Sequence, residues 1–391
     1  MAEAVLDRLT APADLDALAT AVRDAAGRGA PVAISGSGGW WVGTPAGAER
    51  ISTARLDTIS AFHPADLVVS VGAGVPLDRL TEQLAASGAW LTLDPPGPLT
   101  RTVGGVLASG AGGPLAAHYG TARDHVLGLV VVAGDGTVVR LGGRVVKNVA
   151  GFDLAKLVIG GHGAFGVIAE AHLRLRARPR CDRTAVWRGT AEWVARAAAA
   201  AQAAGAAPAA LEAVGPAPGA ALGWGPAGDG RWALAARAVG APAAVEEELA
   251  LVARAAGARA ERLEEGAGPW DSWRGAVGAW PVVLRIGAEP AAWPDAVALA
   301  RRHLGDLGGA TATVPRGTVR VGVARCGPDA VRALRAAAAQ RRWPVTLERA
   351  DAATRAAVGI WGALPPDVAP LAAALQATFD PAGALRAPLA P

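Results

Sequence analysis

The residues of this chain that are best suited to chemistry lie in two glycine-rich stretches. The first is ISGSGGWWVG, residues 34–43, which follows the short apolar run 31–33. Consecutive backbone N–H groups in such a loop point into a concavity and bind an anion such as a pyrophosphate without a lysine. The stretch therefore predicts a phosphate-binding loop, with a simple flexible turn as the alternative.

Two better-known phosphate loops do not fit this stretch. A dinucleotide loop of the Rossmann type needs G-x-G-x-x-G at the start of a helix, and Trp41 stands at the third glycine position. A P-loop needs Gly-Lys followed by Ser or Thr, which is absent here. The loop must therefore act through bare amides in another fold.

The second stretch is DPPGPLTRTVGGVLASGAGGPLAAHYGTARDHVLGL, residues 94–128. Small side chains over such a length let the backbone pack directly against something flat and bulky. Two such stretches, separated by a strand and a helix, predict an extended ligand with phosphate and ring parts. The two lysines, the one asparagine and the one tyrosine of the chain all lie between residues 119 and 156, which marks the same region.

Hydrophobic periodicity predicts the elements that position these stretches. They are a helix after a short strand within 4–30, strands over 31–34 and 66–74, a helix over 76–88, a hairpin over 125–143 with its turn at Gly134–Asp135–Gly136, a helix with Asp153 as its N-cap, and a strand over 166–179. The hairpin is the clearest of these signals because two β-branched runs flank a Gly-Asp-Gly turn.

The composition changes near residue 178. Residues 180–375 are rich in alanine and arginine, and helical runs alternate there with short strands. This alternation predicts a separate α+β domain, an antiparallel sheet with helices on one face. We therefore expect a first domain over 1–178, with subdomains of about 1–60 and 61–178, and a second over 179–391.

Composition and charge exclude several classes of function. The net charge is +4 with 38 basic and 34 acidic residues, and aromatics make up 5%, so no basic and aromatic surface for nucleic acid is expected. The sequence contains no uninterrupted apolar run of about 18 residues, so no membrane span is expected. No secretory signal is apparent. We expect a cytoplasmic protein, held at the inner face of the membrane, if at all, through partners.

The side chains that bind metals are sparse. Cys181 and Cys326 stand alone, which excludes a site made of cysteines within this chain, whether an iron–sulfur cluster or zinc. The six histidines show no metal-ligand spacing. We therefore predict no metal.

The order of the motifs resembles a known family. The stretches PVAISGSGG, DPPGPLTRTVGGVLASGAGG, YGTARDHVLGLVVVAGDGTVVRLGG, KNVAGFDLAKLVIGGHGAFGVIAE and the late FDPAG occur in this order. The chain thereby resembles the FAD-binding oxidoreductases of the vanillyl-alcohol-oxidase type, also called PCMH-type. Within them it is most similar to the FAD-binding subunits of bacterial glycolate oxidase. The similarity is dense over 30–175 and thin in the second domain.

The resemblance implies a fold and a set of cofactor-binding residues. The fold is α+β, a PCMH-type FAD-binding domain of two subdomains followed by an α+β cap domain with an antiparallel sheet. The positions that the resemblance assigns to FAD are Gly36, Ser37, Gly38, Gly39, Trp40, Pro96, Thr102, Gly104, Gly105, Ser109, Arg123, Asp124, Gly151, Asp153, Gly166, Val167 and Ile168.

The chain departs from the family at two places. Relatives that bond FAD covalently can use a histidine in the first glycine loop, where this chain has Gly38, Gly39 and Trp40, so noncovalent FAD is expected. Relatives commonly end in FDP followed by NPGR, whereas this chain ends in FDPAGALRAPLAP. The missing Asn-Pro-Gly argues against contact of the C-terminus with the flavin.

The catalytic residues are less apparent. The paired-histidine signatures of the hydroxy-acid dehydrogenases in this superfamily are absent. Arg285 and Arg320 interrupt apolar strands, so each is a candidate to grip a substrate carboxylate in a cavity, with a solvated strand edge as the alternative. His118 and Tyr119 are candidate flavin neighbours, with packing in the core as the alternative.

The resemblance also implies a function with partners. We expect an FAD-dependent subunit of a glycolate or 2-hydroxy-acid oxidase that passes electrons onward, with a catalytic flavoprotein subunit and an iron–sulfur subunit as partners. One alternative is a self-sufficient FAD-dependent dehydrogenase for an alcohol or D-2-hydroxy acid. The other is a flavin-binding scaffold without chemistry of its own.

Overall fold

The structure is a computed structural model that describes residues 9–38, 48–143, 153–226 and 228–385. Within these ranges, no helix has the length and apolar character needed to cross a bilayer.

The chain begins with a small parallel sheet. Its elements are β1 (Leu9–Thr10), α1 (Leu15–Gly27), β2 (Val32–Ser35) and β3 (Glu49–Ser52), with strand order β1-β3-β2. The α1 helix begins at Leu15 because the Asp14 carboxylate accepts a hydrogen bond from the Ala17 N–H. The first glycine loop starts where β2 ends.

A second, antiparallel sheet carries the rest of the first half. Its region contains β4 (Ile59–His63), β5 (Val68–Gly72), α2 (Leu77–Ala86), β6 (Ala89–Trp90), α3 (Val103–Ser109), α4 (Ala116–Tyr119), α5 (Ala122–His125), β7 (Val126–Val132), β8 (Val138–Gly142), α6 (Ala155–Val158), β9 (Val167–Arg174) and β10 (Arg176–Ala177). The five-stranded sheet has the order β4-β5-β9-β7-β8, and β10 pairs with β6. The predicted hairpin is confirmed as β7 and β8, with Val132 opposite Val138.

One predicted helix cap is wrong. Leu154, not Asp153, occupies the N-cap position of α6, and no side chain caps this helix. The Asp153 carboxylate instead forms an exposed ion pair with Lys156 at 3.2 Å. Asp153 lies one residue too early in the chain to cap a helix that begins at Ala155.

The second half forms an eight-stranded antiparallel sheet, here called the cap sheet. Its region contains β11 (Cys181–Gly189), α7 (Ala191–Ala203), β12 (Ala210–Val214), α8 (Pro216–Ala221), β13 (Trp232–Gly240), α9 (Pro242–Ala256), β14 (Arg262–Glu265), α10 (Gly268–Gly278), β15 (Val282–Gly287), α11 (Trp293–Leu304), β16 (Gly309–Thr313), β17 (Thr318–Val323), α12 (Pro328–Ala339), β18 (Val345–Arg349), α13 (Ala352–Val358) and α14 (Ala369–Phe379). The strand order is β14-β11-β13-β12-β16-β17-β15-β18.

The two faces of the cap sheet differ in polarity because successive side chains of a strand point to opposite faces. On one face, residues such as Leu211, Leu284 and Val321 form a core with residues of α7, α9, α11 and α12. On the middle strands, the opposite face carries Glu212, Thr311, Arg320, Arg285 and Glu348. This polar face lies against the first half of the chain, since Arg320 Nη2 donates to the Gly112 carbonyl at 2.6 Å.

The end of the chain returns to the first half. The Gly134 N–H donates to the Phe379 carbonyl and the Val32 N–H to the Ala384 carbonyl, both at 2.7 Å. The Asp380 carboxylate accepts from the N–H groups of Ala384 and Leu385, both at 2.8 Å. Asp380 thus folds the returning segment onto both sheets of the first half. We keep residue 178, between β10 and β11, as the proposed domain boundary.

Candidate functional site

The first glycine loop lies beside the beginning of α3. A Cβ atom on Gly36 would overlap the Thr102 hydroxyl, so the two backbones meet only because residue 36 is glycine. The Ser52 hydroxyl donates to the Gly36 carbonyl at 3.4 Å, and Gly38 has a φ of +72°. Ser37 lies between these glycines, whereas Gly39 and Trp40 lie outside the described residues.

The glycines of the second stretch divide into two groups. Gly104, Gly110 and Gly113 are packed against other parts of the chain. A Cβ added to Gly104 would lie 2.6 Å from the Ala73 side chain, and one added to Gly110 would lie 2.9 Å from Gly160 Cα. A Cβ added to Gly113 would overlap the Asp94 carbonyl. Much of the close packing predicted for a flat ligand is therefore backbone packing between parts of this chain.

Gly105 behaves differently from these packed glycines. The Gly105 N–H donates to the Thr102 hydroxyl at 3.3 Å, which caps α3. A Cβ on Gly105 would have only this hydroxyl nearby, at 3.2 Å. The first turn of α3 thus presents an open backbone surface beside the loop at Gly36.

Two buried charged residues shape the loops around α3, and the sequence interpretation missed both. The Asp94 carboxylate accepts from the N–H groups of Gly113 at 3.1 Å and Leu115 at 2.9 Å, and burial raises its pKa to about 6. Arg101 donates to the Pro96 carbonyl at 2.7 Å and to the Ser109 hydroxyl at 3.1 Å. Burial lowers the pKa of Arg101 to about 10.

The signal for these two residues was present in the sequence. Asp94 and Arg101 are the only charged residues of the stretch 91–122, and a lone charge in a stretch of small and apolar residues is rarely left without a partner when it is buried.

Arg285 and Arg320 lie directly opposite each other on β15 and β17. The Arg320 side chain is 3% exposed and makes two hydrogen bonds to Glu348, at 2.8 and 3.2 Å. Arg285 Nε lies 2.9 Å from Oε1 of the same Glu348, and its side chain keeps 36% exposure. Both arginines therefore lie on the polar face of the cap sheet, and Arg320 is not a solvated edge residue.

This cluster holds more positive charge than negative charge. Burial by itself would raise the pKa of Glu348, but Arg320 and Arg285 hold it below the ordinary value. Arg101 from the first half also acts on Glu348, so three guanidinium groups face one carboxylate that is directly paired with two of them. Burial lowers the pKa of Arg285, although all three arginines remain cations at neutral pH.

His162 joins this cluster from the first half of the chain. Its backbone has a φ of +50°, which is rare for a residue other than glycine, and its N–H donates to the Ala108 carbonyl at 2.8 Å. The imidazole meets the Trp361 ring edge to face, with centroids 5.2 Å apart. Burial, and then Arg285, lower the pKa of His162 to about 4, so the ring is neutral at pH 7.

The region around this cluster, here called the cleft, is defined by Ser109, Gly112, His162, Arg285 and Trp361. Each of them keeps some exposed surface, while burial shifts the pKa of both His162 and Arg285. This region lies where the polar face of the cap sheet meets the first half, since Arg320 donates to the Gly112 carbonyl. The cleft lies beside the end of α3.

His118 and Tyr119 are not brought to this cleft. His118 Nδ1 lies 3.0 Å from the Ala207 carbonyl oxygen. The Tyr119 ring meets Trp90 edge to face at 5.3 Å, with the Arg176 guanidinium 5.2 Å from its centroid. Among the contacts of the described residues, none joins either side chain to Arg285 or Arg320.

The remaining predicted cofactor positions make structural contacts within the first half of the chain. Arg123 donates to the Ile159 carbonyl at 3.3 Å, and Asp124 closes a capping box with Thr121 at the start of α5. Gly166 has a φ of +116°, and Val167 and Ile168 are buried at the start of β9. Their role toward a cofactor stays a prediction, and Gly151 lies outside the described residues.

Metal-ligating side chains do not gather in the ranges that the structure describes: no three His, Cys, Asp or Glu residues there are placed to hold a metal ion. The donor groups near the cleft are guanidinium groups, amides and hydroxyls, which suit an anionic organic ligand.

Comparison with known proteins finds similarity to a family in the first half of the chain. Residues 6–142 match the family described as FAD binding domain. The match includes Gly36 and Gly105, and a Cβ added to Gly105 would have only the Thr102 hydroxyl nearby, at 3.2 Å. Residues 6–142 are therefore similar to FAD-binding domains, and this match ends before the cap sheet begins.

Two named relatives are similar to part of this chain. The chain is 34% identical over 154 residues to glycolate oxidase subunit GlcE of Escherichia coli, covering 39% of this chain and 44% of the relative. It is 39% identical over 142 residues to the mitochondrial D-lactate dehydrogenase [cytochrome] of Arabidopsis thaliana, covering 36% of this chain and 25% of the relative. The chain thus aligns with less than half the length of these relatives.

A solved structure extends the similarity of fold to the cap sheet. Alkyldihydroxyacetonephosphate synthase superposes with a TM-score of 0.71 at 15% identity, covering 97% of this chain and 76% of that one. At this identity the likeness concerns the fold alone. The α+β fold with an antiparallel cap sheet is confirmed.

Proposed function

We propose that this chain binds FAD noncovalently and oxidises a small 2-hydroxy acid as one subunit of an oxidase that passes the electrons to partner chains. The FAD pyrophosphate would rest on the amides of Gly36–Gly38 beside Thr102 and Gly105. The flavin would extend along the end of α3 toward the cleft, past Ser109. When bound, the flavin supplies the acceptor for a hydride.

The observation that carries this proposal is the charge of the cleft. Arg101, Arg285 and Arg320 surround Glu348, so two guanidinium groups are in excess over the carboxylate paired with them. The carboxylate of Asp94, which accepts from the Gly113 N–H, offsets part of this excess. A region with net positive charge favours a small anion, and Arg285, whose side chain is partly exposed, is the cation that such an anion can reach.

The proposed partners follow from the relatives. GlcE of Escherichia coli is named a subunit of glycolate oxidase, and the two cysteines of this chain stand 145 residues apart in sequence, at 181 and 326. Electrons would therefore leave through a partner that holds an iron–sulfur cluster, next to a catalytic flavoprotein subunit.

A second candidate function is a self-sufficient dehydrogenase for a D-2-hydroxy acid. The similarity to a D-lactate dehydrogenase favours it. The two functions use the same FAD site and the same cleft, and they differ in whether the chain turns over without partners.

The test of the proposal is binding of small acids by the flavin-loaded protein and its Arg285→Gln variant. The flavin is first reduced with dithionite so that glycolate cannot be oxidised, and the unfolding midpoint is followed against glycolate or acetate concentration. We expect both acids to stabilise the wild type, and Arg285→Gln to raise both Kd values about tenfold, since a charge-assisted hydrogen bond is lost.

The control is Arg254→Gln, which removes an exposed arginine of α9 and should leave both Kd values unchanged. Absence of stabilisation by either acid in the wild type would refute the cleft as an acid-binding site.

A further inference from the structure

A cavity lies at one end of the cap sheet, where the start of β15 meets the ends of β17 and β18. These strand ends share one edge because β15 runs antiparallel to both neighbours. The cavity has a volume of about 790 Å³ and has no lining residue in common with the cleft. Val282 lines it, and the cleft residue Arg285 lies three residues further along β15, about 10 Å away. The cavity is therefore a separate place on the molecule.

The charged residues of the lining are two cations and one anion. They are Arg325, Arg349 and Asp351. Both oxygens of the Asp351 carboxylate already accept hydrogen bonds at the start of α13, from the Thr354 N–H and hydroxyl, each at 2.8 Å. Arg349 donates to the Gly278 carbonyl at the end of α10. The lining thus keeps one positive charge in excess, which favours a ligand with one negative charge.

Arg325 is the cation that a ligand can reach. The residue is exposed, and no other group in the described ranges makes a hydrogen bond or an ion pair with its guanidinium group. Arg332 of the following helix differs, since it pairs with the Asp329 carboxylate at 2.8 Å. A guanidinium group without a protein partner can bind a carboxylate through two parallel hydrogen bonds.

A β-bulge in the edge strand β18 brings Arg349 to this cavity. Arg349 stands opposite Val283, and Glu348 is an extra residue between this pair and the next. In a regular strand, residues 348 and 349 would point to opposite faces. Here Glu348 binds Arg320 on the polar face, and Arg349 binds α10, which packs on the same face against Val283. Bulges of this kind re-aim a side chain and are common at sheet edges and next to active sites.

The rest of the lining is largely apolar. Ala279, Pro281, Val282 and Ala324 contribute no polar side-chain atom. Small-molecule sites have volumes of roughly 300–1,000 Å³ and combine such walls with a few polar groups, and this cavity has both features. A phosphate monoester carries close to two negative charges at neutral pH, which exceeds the single charge in excess here. A carboxylate carries one.

We propose that this cavity binds a monocarboxylate with an apolar body. The carboxylate pairs with Arg325, within the positive potential of Arg349, and the body lies against Pro281, Val282 and Ala324. The site goes beyond the proposed function and does not depend on it, because it uses neither FAD nor the cleft. It gives the chain a second place for an organic acid, one with a larger apolar part than glycolate.

The thiol of Cys326 lines the same cavity and reports on it. Its alkylation rates by iodoacetate, an anion, and by the neutral iodoacetamide are measured on the full chain by peptide mass spectrometry. The reaction is run at about pH 9, because burial raises the pKa of this thiol and only the thiolate reacts. We expect Arg325→Gln to lower the ratio of the iodoacetate rate to the iodoacetamide rate about fivefold, since one unit charge near the thiol is lost.

Protection by a ligand tests the apolar body. Hexanoate, a carboxylate with an apolar chain, should slow the reaction of Cys326 with iodoacetamide in the wild type and not in Arg325→Gln. Hexan-1-ol, which keeps the chain and lacks the charge, should give no protection at the same concentration. Inorganic phosphate, which lacks the apolar body, should protect far less than hexanoate.

Two controls accompany these measurements. Cys181 lies on β11, four strand spacings from β17 in the cap sheet, about 19 Å, so its rates should respond neither to hexanoate nor to Arg325→Gln. Arg254→Gln removes an exposed arginine of α9 and should leave the ratio at Cys326 unchanged.

Three results would overturn the proposal. An unchanged ratio in Arg325→Gln would show that Arg325 does not attract an anion to the cavity. Absence of protection by hexanoate would exclude the monocarboxylate, and equal protection by inorganic phosphate would exclude the apolar body. Each of these results leaves the proposed function standing, since the labelling requires neither FAD nor an acid in the cleft.

Discussion

The Glu212 carboxyl group is wholly buried on β12, on the same face of the cap sheet as Arg320. Burial raises its pKa to about 8 from an ordinary value of 4.5, and the hydroxyls of Thr313 and Thr311 and the Arg320 guanidinium offset only part of that rise. The cap sheet therefore carries a neutral carboxylic acid at pH 7, on the same face as Arg320.

This burial predicts a pH dependence of stability. Between pH 4.5 and 8 the unfolded chain has released the Glu212 proton while the folded protein keeps it, so this group lowers the free energy of unfolding as pH rises. The decrease in the free energy of unfolding should reach on the order of 4 kcal/mol near pH 8. Glu212→Gln has no such proton, so its stability advantage over the wild type should be small at pH 5 and large at pH 8.

Urea unfolding at several pH values measures this difference. Glu82→Gln, which changes an exposed carboxylate of α2, should show no advantage that grows with pH. An advantage of Glu212→Gln that stays constant from pH 5 to 8 would mean that Glu212 does not hold its proton in the folded protein.

At the scale of elements, local sequence predicts some parts of this molecule and not others. The β7–β8 hairpin is predictable because Val132 and Val138 flank a glycine turn, and pairing is settled within a few residues. The α3 helix is not, because its sequence VGGVLAS contains two glycines, which disfavour helices. It forms because Thr102 caps it and Gly104 lets it pack on Ala73.

The first turn of α3 makes the prediction at this scale. Gly105→Asp should abolish FAD binding, because a carboxylate about 4 Å from a phosphate costs on the order of a few kcal/mol near a protein surface. That cost raises the Kd for FAD about 100-fold or more. Flavin absorbance of the purified variant measures the loss.

Gly275→Asp is the matched control, since it adds the same carboxylate to an exposed glycine of α10 with nothing within 4 Å. Full FAD occupancy in Gly105→Asp would show that α3 does not line the cofactor.

In the wild type, acid precipitation should leave the FAD in the supernatant, and flavin that pellets with the polypeptide would contradict noncovalent binding.

At the scale of the whole molecule, the cleft is made by residues that are far apart in the chain. Arg285 and Arg320 were predictable as candidates, since a charge in an apolar strand stands out in the sequence. Their shared partner Glu348 was not, because the pairing depends on the register of β15, β17 and β18. The bond from Arg320 to Gly112 spans 208 residues, and only the docking of the cap sheet creates it. His162 was not predicted as a residue of this site for the same reason.

The last prediction concerns turnover by the chain on its own. Expressed alone, it should bind FAD yet oxidise glycolate or D-lactate slowly or not at all. His162 has a pKa of about 4 and takes up a proton poorly at neutral pH, where a base with a pKa near 7 works best. The electrons also have no cysteine-bound cluster in this chain by which to leave, so turnover requires partner chains or an artificial acceptor.

Anaerobic mixing of the isolated flavoprotein with each acid, followed by flavin absorbance, measures the first half-reaction without any acceptor. Slow or absent bleaching is the expected result. Rapid bleaching by either acid would show that the cleft is a complete active site. It would favour the self-sufficient dehydrogenase, with the partners then needed only to carry electrons away.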